Sequence, residues 1–212
     1  GMVLHCCTKP SHDLGRSSVF AGNFTFILER LRSQGINTLL TACPNCTRMF
    51  RVYGADMQVK SIFTLLHQQG GEPHPDTGQE VCIHDPCPLR ADRPYQEAVR
   101  DLLCRHGYRV RPMRHQYHTT ICCGEGGAVG FRHPQLARAW RQKRVTEAGG
   151  RLLITTCAGC TATLGAQTPI LHLADLLFPP AQGKKAAPPA RPPLTYVNRL
   201  LLKLRLCCRR VE

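Results

Sequence analysis

Thirteen cysteines occur among the 212 residues, and their spacing is the feature of this chain best suited to chemistry. Cys122-Cys123 is followed by Cys157-Ala158-Gly159-Cys160, and Cys87 precedes both within His84-Asp85-Pro86-Cys87. Thiolates bind metals and attack disulfides. Five of them exceed the four that one tetrahedral zinc ion or one cubane iron–sulfur cluster takes from protein, so the set favours a multi-iron centre over a single zinc. Adjacent cysteines on a regular strand face opposite ways. Both reach one centre only if the backbone turns there, and Gly124 supplies that freedom. Gly126-Gly127 could then bring backbone N–H groups close to an anionic cluster. Nucleotide binding is not expected, because the stretch from Gly124 to Gly130 lacks the lysine of a phosphate-binding loop.

The arrangement is partly duplicated. Cys6-Cys7 is followed by Cys43-Pro44-Asn45-Cys46; Cys122 lies 116 residues beyond Cys6, and Cys157 lies 114 beyond Cys43. Thr41-Ala42 and Thr155-Thr156 precede the two CxxC motifs, and short apolar segments, Lys60 to Leu66 and Leu171 to Leu177, follow them. Such self-similarity marks a repeated structural unit.

The elements that must position these residues follow from periodicity. Phe20, Phe24, Ile27, Leu28 and Leu31 recur at helical spacing between Gly15 and Gly35, and Ile36 to Thr41 reads as a short buried strand delivering Cys43. In the second copy Pro134 opens a helix to Ala148, with Leu136 and Trp140 on one face, and Gly149-Gly150 ends it. Leu152 to Thr155 repeats the strand and delivers Cys157. Val81 to His84 is a further strand before Cys87, and Tyr95, Ala98, Val99, Leu102 and Leu103 mark a helix ending near Gly107. Alternation of this kind predicts an α/β fold with largely parallel sheets, in which ligands gather at the carboxyl ends of strands. Cys82 and Cys104, in apolar contexts, are expected to be buried free thiols outside the site.

Cys87, Cys122-Cys123-Gly124 with Gly126-Gly127, and Cys157-x-x-Cys160 together resemble the cysteine-rich CCG-domain family. That family includes the CCG-bearing subunit of heterodisulfide reductase and related iron–sulfur oxidoreductase subunits. The resemblance spans roughly residues 3 to 178. It implies two tandem Rossmann-like CCG domains with pseudo-twofold symmetry, a shortened one over residues 1–78 and a complete one over 79–178. It also implies a noncubane [4Fe-4S] cluster on Cys87, Cys122, Cys123, Cys157 and Cys160, with electron relay or disulfide cleavage as its work. His84, Glu125 and Arg132 are candidates for proton delivery and charge compensation, and Gly124, Gly126 and Gly127 line the cluster. The first copy departs from the pattern: Thr8 replaces the glycine, and the upstream cysteine is missing. Cys6, Cys7, Cys43 and Cys46 could hold zinc, a degenerate cluster or nothing, with His5 and His12 as substitute ligands. The alternative function is a zinc-bound or metal-free scaffold within a redox or membrane-associated complex.

Charge bears on partners. The formal net charge is +14, but residues 184–212 carry eight basic and one acidic side chain, so half of the excess sits in the tail. Aromatics are 6%, which leaves little for base stacking, and no nucleic-acid partner is expected. Residues 179–193 are rich in proline and read as a linker. Beyond it, over 194–212, Leu194, Val197, Leu201 and Leu204 share a helical face beside arginines and a lysine, suited to peripheral contact with an anionic membrane. Cys207-Cys208 is a weak lipidation signal. No apolar leader opens the sequence, so a reducing cytoplasmic setting is expected. Gly1 reads as a cloning remnant. The chain has neither a flavin fingerprint nor a ferredoxin cysteine run, which places the electron donor, a flavin or further clusters, on another protein.

Overall fold

The computed structural model describes residues 5–179 and 193–208. In the first half, α1 (Lys9–Asp13) and α2 (Ser17–Arg32) lead into β1 (Thr38–Thr41), α3 (Pro44–Tyr53), β2 (Gln58–Ser61) and α4 (Ile62–Gln69). β3 (Glu80–Ile83), α5 (Arg93–Arg105), β4 (Arg109–Arg111), α6 (Val129–Arg132) and α7 (Pro134–Ala148) follow. β5 (Leu152–Thr155), α8 (Ala158–Leu164), β6 (Ile170–His172) and α9 (Leu173–Leu177) complete this body. Residues Cys7–Phe178 form one compact unit.

Both sheets are parallel. β3 and β5 are the inner strands of a four-stranded sheet in the order β4-β3-β5-β6, while β1 and β2 form a two-stranded sheet. Val81, Cys82 and Ile83 on β3 and Leu153, Ile154 and Thr155 on β5 are all buried, as expected for strands covered on both faces. The strand expected to be buried before Cys43 is not: only Thr41 of β1 is buried, and Leu40 is 55% exposed. A two-stranded sheet leaves one face without a covering layer. The core beside it comes instead from Phe20, Phe24, Ile27, Leu28 and Leu31 of α2 packed with Met49 and Phe50 of α3.

Two further expectations are corrected. Cys82 is buried, but Cys104 is exposed on α5, because the apolar stripe of that helix runs through Tyr95, Ala98, Val99, Leu102 and Leu103. Leu136 and Trp140 of α7 face solvent, and the buried residues are Ala137, Arg144 and Ala148. The guanidinium of Arg144 can occupy that inner face because every part of it finds a polar or sulfur partner, described below.

The other unit contains the chain ends, 1–6 and 179–212. Its helix α10 (Leu194–Cys208) exposes Leu194, Tyr196, Val197, Leu201 and Leu204. No helix among the described residues is long and apolar enough to cross a membrane. Gly1, most of the proline-rich segment and the side chains of Cys207 and Cys208 lie outside the described residues.

Candidate metal centre

Parallel strands deliver three of the cysteines to the same kind of place. Cys43 follows β1, Cys87 follows β3 and Cys157 follows β5 at their carboxyl ends. β3 and β5 are neighbours, and their ladder continues past the strands: His84 N–H donates to Ile154 O (2.9 Å), and Thr155 Oγ1 donates to His84 O (3.0 Å). Cys157 caps the amino terminus of α8 in extended conformation, and Cys160 lies within its first turn. Thr161, next in sequence, bonds back from both N and Oγ1 to the Cys157 carbonyl, at 2.9 and 3.2 Å. This fixes the CxxC turn.

The Cys122-Cys123 pair reaches the same place through a turn at Gly124, whose φ is +92°. Only glycine adopts that backbone readily. Gly124 N–H donates to Cys122 Sγ (3.3 Å), and Gly126 N–H adds a second bond to the same sulfur. The sulfurs influence one another pairwise, Cys87 with Cys122, Cys122 with Cys123, Cys123 with Cys160 and Cys160 with Cys157, and the tightest groups among the described residues join Cys123 and Cys160 with His84, and Cys157 and Cys160 with Glu125. Protons are unevenly shared among the sulfurs. Hydrogen bonds from Cys123 and Cys87 hold Cys122 far below an ordinary thiol, and a bond from Cys160 lowers Cys157. Donating to Cys122 pushes Cys123 up to about 12 and raises Cys87, while donating to Cys123 and Cys157 raises Cys160. Five sulfur donors, two of them favoured as thiolates, have the makeup of a site for a soft, thiophilic metal.

Asp85 and His84 frame the sulfurs from behind. The Asp85 carboxylate takes two bonds from Arg100 (2.9 and 2.8 Å) and one from Tyr117 N–H (2.8 Å), and its main-chain oxygen accepts from Thr120 Oγ1 (2.7 Å). Asp85 thereby ties α5 and the segment leading to Cys122 to the end of β3. His84 is 1% exposed. Its Nδ1 accepts from Arg144 Nε (3.1 Å), and burial, followed by the charge of Arg144, lowers its pKa to about 3. A ring nitrogen of His84 and the sulfurs of Cys123 and Cys160 lie within 4.8 Å of one another.

Residues 81–165, which carry all five cysteines and the His-Asp-Pro-Cys run, match the family model of the CCG cysteine-rich domain. The segment is similar to that domain over 85 of the 212 residues. No curated protein matches the chain.

The first half supplies a smaller sulfur group, outside the matched segment. Cys43 caps α3 and Cys46 lies in its first turn, with Thr47 Oγ1 bonding back to Cys43 O (3.1 Å). The geometry repeats that of Cys157, Cys160 and Thr161 in the matched segment. Cys46 donates to both Cys43 and Cys7, which lowers them to about 6 and about 7 and raises Cys46 itself. At pH 7 a large share of Cys43 is thus thiolate. Its alkylation rate in metal-free protein is expected to be half-maximal near pH 6 rather than near 9, and mass mapping against buried Cys82, which burial raises, checks it. Cys6 and His5 are exposed residues of the other unit. His12, expected as a substitute ligand, bonds Tyr53 Oη instead (2.8 Å) and packs edge-on against Phe20.

Glu125 lies between the two sulfur groups. Its charge acts on both Cys43 and Cys157, and one carboxylate oxygen is within 4.8 Å of the sulfurs of Cys157 and Cys160. A side chain at Gly159 would overlap the Glu125 carboxylate. Partial desolvation raises the pKa of Glu125, an exposed residue, against the opposing charge of Lys9, with Cys122 and Asp13 adding to the rise. The loop is anchored across the halves, because Gly127 N–H donates to Asp13 (3.3 Å), which also pairs with Lys9. Arg132 is exposed on the last turn of α6. Arg144, Asp85, Thr47 and Thr161 carry roles that the cysteine motifs do not announce.

Proposed function

We propose that the chain is an iron–sulfur redox component similar to the CCG-bearing subunit of heterodisulfide reductase, with a noncubane [4Fe-4S] cluster held by Cys87, Cys122, Cys123, Cys157 and Cys160. The observation that supports this reading is the match of residues 81–165 to the CCG cysteine-rich domain together with the close grouping of Cys123, Cys157 and Cys160 at the carboxyl end of β5. When bound, such a cluster supplies one-electron steps to a two-electron acceptor such as a disulfide. The chain's own residues do the rest. Gly124 and Gly126 N–H groups offset negative charge at Cys122, and burial of Cys123, Cys157 and Cys160 excludes water. Glu125, whose carboxylate lies beside Cys157 and Cys160, is placed to pass a proton to a departing thiolate.

The division into tandem domains at residue 78 belongs to the same reading. Its support is the repeated order of strand, CxxC helix, strand and short helix in β1–α3–β2–α4 and β5–α8–β6–α9. In the first half, Cys7, Cys43 and Cys46 offer three sulfurs, which suits zinc with one added ligand; this favours, as a second reading, a zinc-bound scaffold. Electrons come from a flavin or cluster on another protein, and the exposed apolar face of α10 with its basic residues provides peripheral contact with an anionic membrane.

Anaerobic reconstitution with iron and sulfide tests the assignment. The wild-type chain is expected to take up about four irons and absorb visibly, and Cys123→Ser to lose most of that iron. Equal iron in both preparations removes the ligand assignment, and stoichiometric zinc without visible absorption favours the scaffold. Truncation after Phe178 is expected to leave the thermal transition of the body in place while weakening sedimentation with anionic vesicles. Undiminished vesicle binding by the truncated chain would rule out the tail as the contact.

A further inference from the structure

Arg144 has no exposed side-chain surface, and its guanidinium is fully engaged. Nε donates to His84 Nδ1 (3.1 Å), Nη1 to His115 O (2.7 Å) and Glu147 Oε2 (2.8 Å), and Nη2 to Met113 Sδ (3.2 Å). Glu147 in turn pairs with the His115 ring. Guanidinium nitrogens only donate, so the contact with Arg144 makes Nδ1 of His84 an acceptor that carries no proton. A neutral imidazole then bears its single hydrogen on the other nitrogen. That atom, Nε2, is buried and has no hydrogen-bond partner among the described residues. Native proteins rarely leave such a donor unsatisfied, at a cost of roughly 1–3 kcal/mol. One ring nitrogen of His84 lies within 4.8 Å of the sulfurs of Cys123 and Cys160, and with Nδ1 taken by Arg144 Nε, Nε2 is the ring edge left free to serve them.

We propose that Arg144 locks His84 in the Nε2-protonated tautomer and that His84 serves the cysteine centre as an N–H donor to sulfur at Cys123 and Cys160, neither as a metal ligand nor as a proton carrier. This deepens the reading of these cysteines as an iron–sulfur site and rests on it. The nitrogen facing the sulfurs has no lone pair to give, because the proton occupies it. A hydrogen bond to a sulfur ligand stabilises the more negative, reduced state and so raises the reduction potential. Arg144 is the positioning residue: it touches no cysteine in this role but decides which edge of the ring is a donor.

The experiment compares the full chain, reconstituted anaerobically, as wild type, His84→Leu and His84→Gln, the last restoring an N–H on a side chain of similar reach. Equal iron in all three is expected. The midpoint of His84→Leu should fall by about 59 mV, a tenfold change in the one-electron equilibrium, and His84→Gln should recover at least half of that. Loss of iron from His84→Leu with circular dichroism unchanged identifies a ligand and overturns the proposal, as does an unchanged midpoint. Nitrogen-15 spectra of histidine in the iron-free wild-type chain read the tautomer directly. A protonated Nε2 with bare Nδ1 supports the lock, and a protonated Nδ1 overturns it. If the wild-type chain takes up no iron, the cluster reading fails, while these spectra still decide the tautomer.

Discussion

Replacing Gly124 with alanine is expected to destabilise the protein by about 2–5 kcal/mol and to disturb the cysteine cluster. Two costs combine. A non-glycine residue at φ +92° pays roughly 1–2 kcal/mol for the left-handed backbone. The new Cβ would also stand 2.5 Å from the carbonyl oxygen of Ala137, in a helix whose Ala137 is 1% exposed. Backbone there cannot swing aside as a flexible side chain would, and overpacking of this kind costs about 1–3 kcal/mol. The control is Gly127→Ala, where φ is +65° but nothing lies within 4 Å of the added atom, so only the backbone cost of roughly 1–2 kcal/mol applies. Urea unfolding of the two variants measures the difference. If Gly124→Ala unfolds at the same midpoint as Gly127→Ala, the close approach of the CCG turn to α7 does not exist in solution.

Arg144→Leu is expected to cost about 3–5 kcal/mol, the usual penalty for deleting one member of a buried charge pair. The leucine keeps some packing but leaves the Glu147 carboxylate, only 10% exposed, without its guanidinium. It also leaves His84 Nδ1 and the His115 carbonyl without their donor. Arg144→Lys should recover little, since an ammonium cannot serve three directions on a fixed fork. Adding Glu147→Gln to Arg144→Leu removes the stranded charge and should restore part of the loss, which chemical unfolding of the four-member cycle quantifies. A loss under about 1 kcal/mol for Arg144→Leu would mean that the buried network contributes little to holding His84.

The two largest effects differ in how visible they are beforehand. Gly124 sits inside the Cys122-Cys123-Gly motif, where the need for two adjacent cysteines to reach one centre already demands a turn. Its collision partner on α7 is invisible in sequence. Arg144 is one of several arginines in a stretch with Arg138, Arg141 and Lys143, and helical periodicity around Leu136 and Trp140 points to the wrong face. Burial of a cation depends on partners from Met113, His115 and His84, far apart in the chain, so no local pattern reveals it.

Local chemistry along the chain determined the elements with short-range causes: the strand Leu152–Thr155, the helix Pro134–Ala148 between its proline and its glycines, and the CxxC turns. Tertiary structure alone decided what surrounds them. It left one face of β1 exposed at Leu40 while α2 and α3 supply the core on the other side. It turned His12 toward Tyr53, set Glu125 between two sulfur groups and placed Arg144 against His84. Hydrophobic spacing and turn residues act within a few positions and are legible in order, whereas desolvated charges and hydrogen bonds take their energies from neighbours that only folding brings into reach.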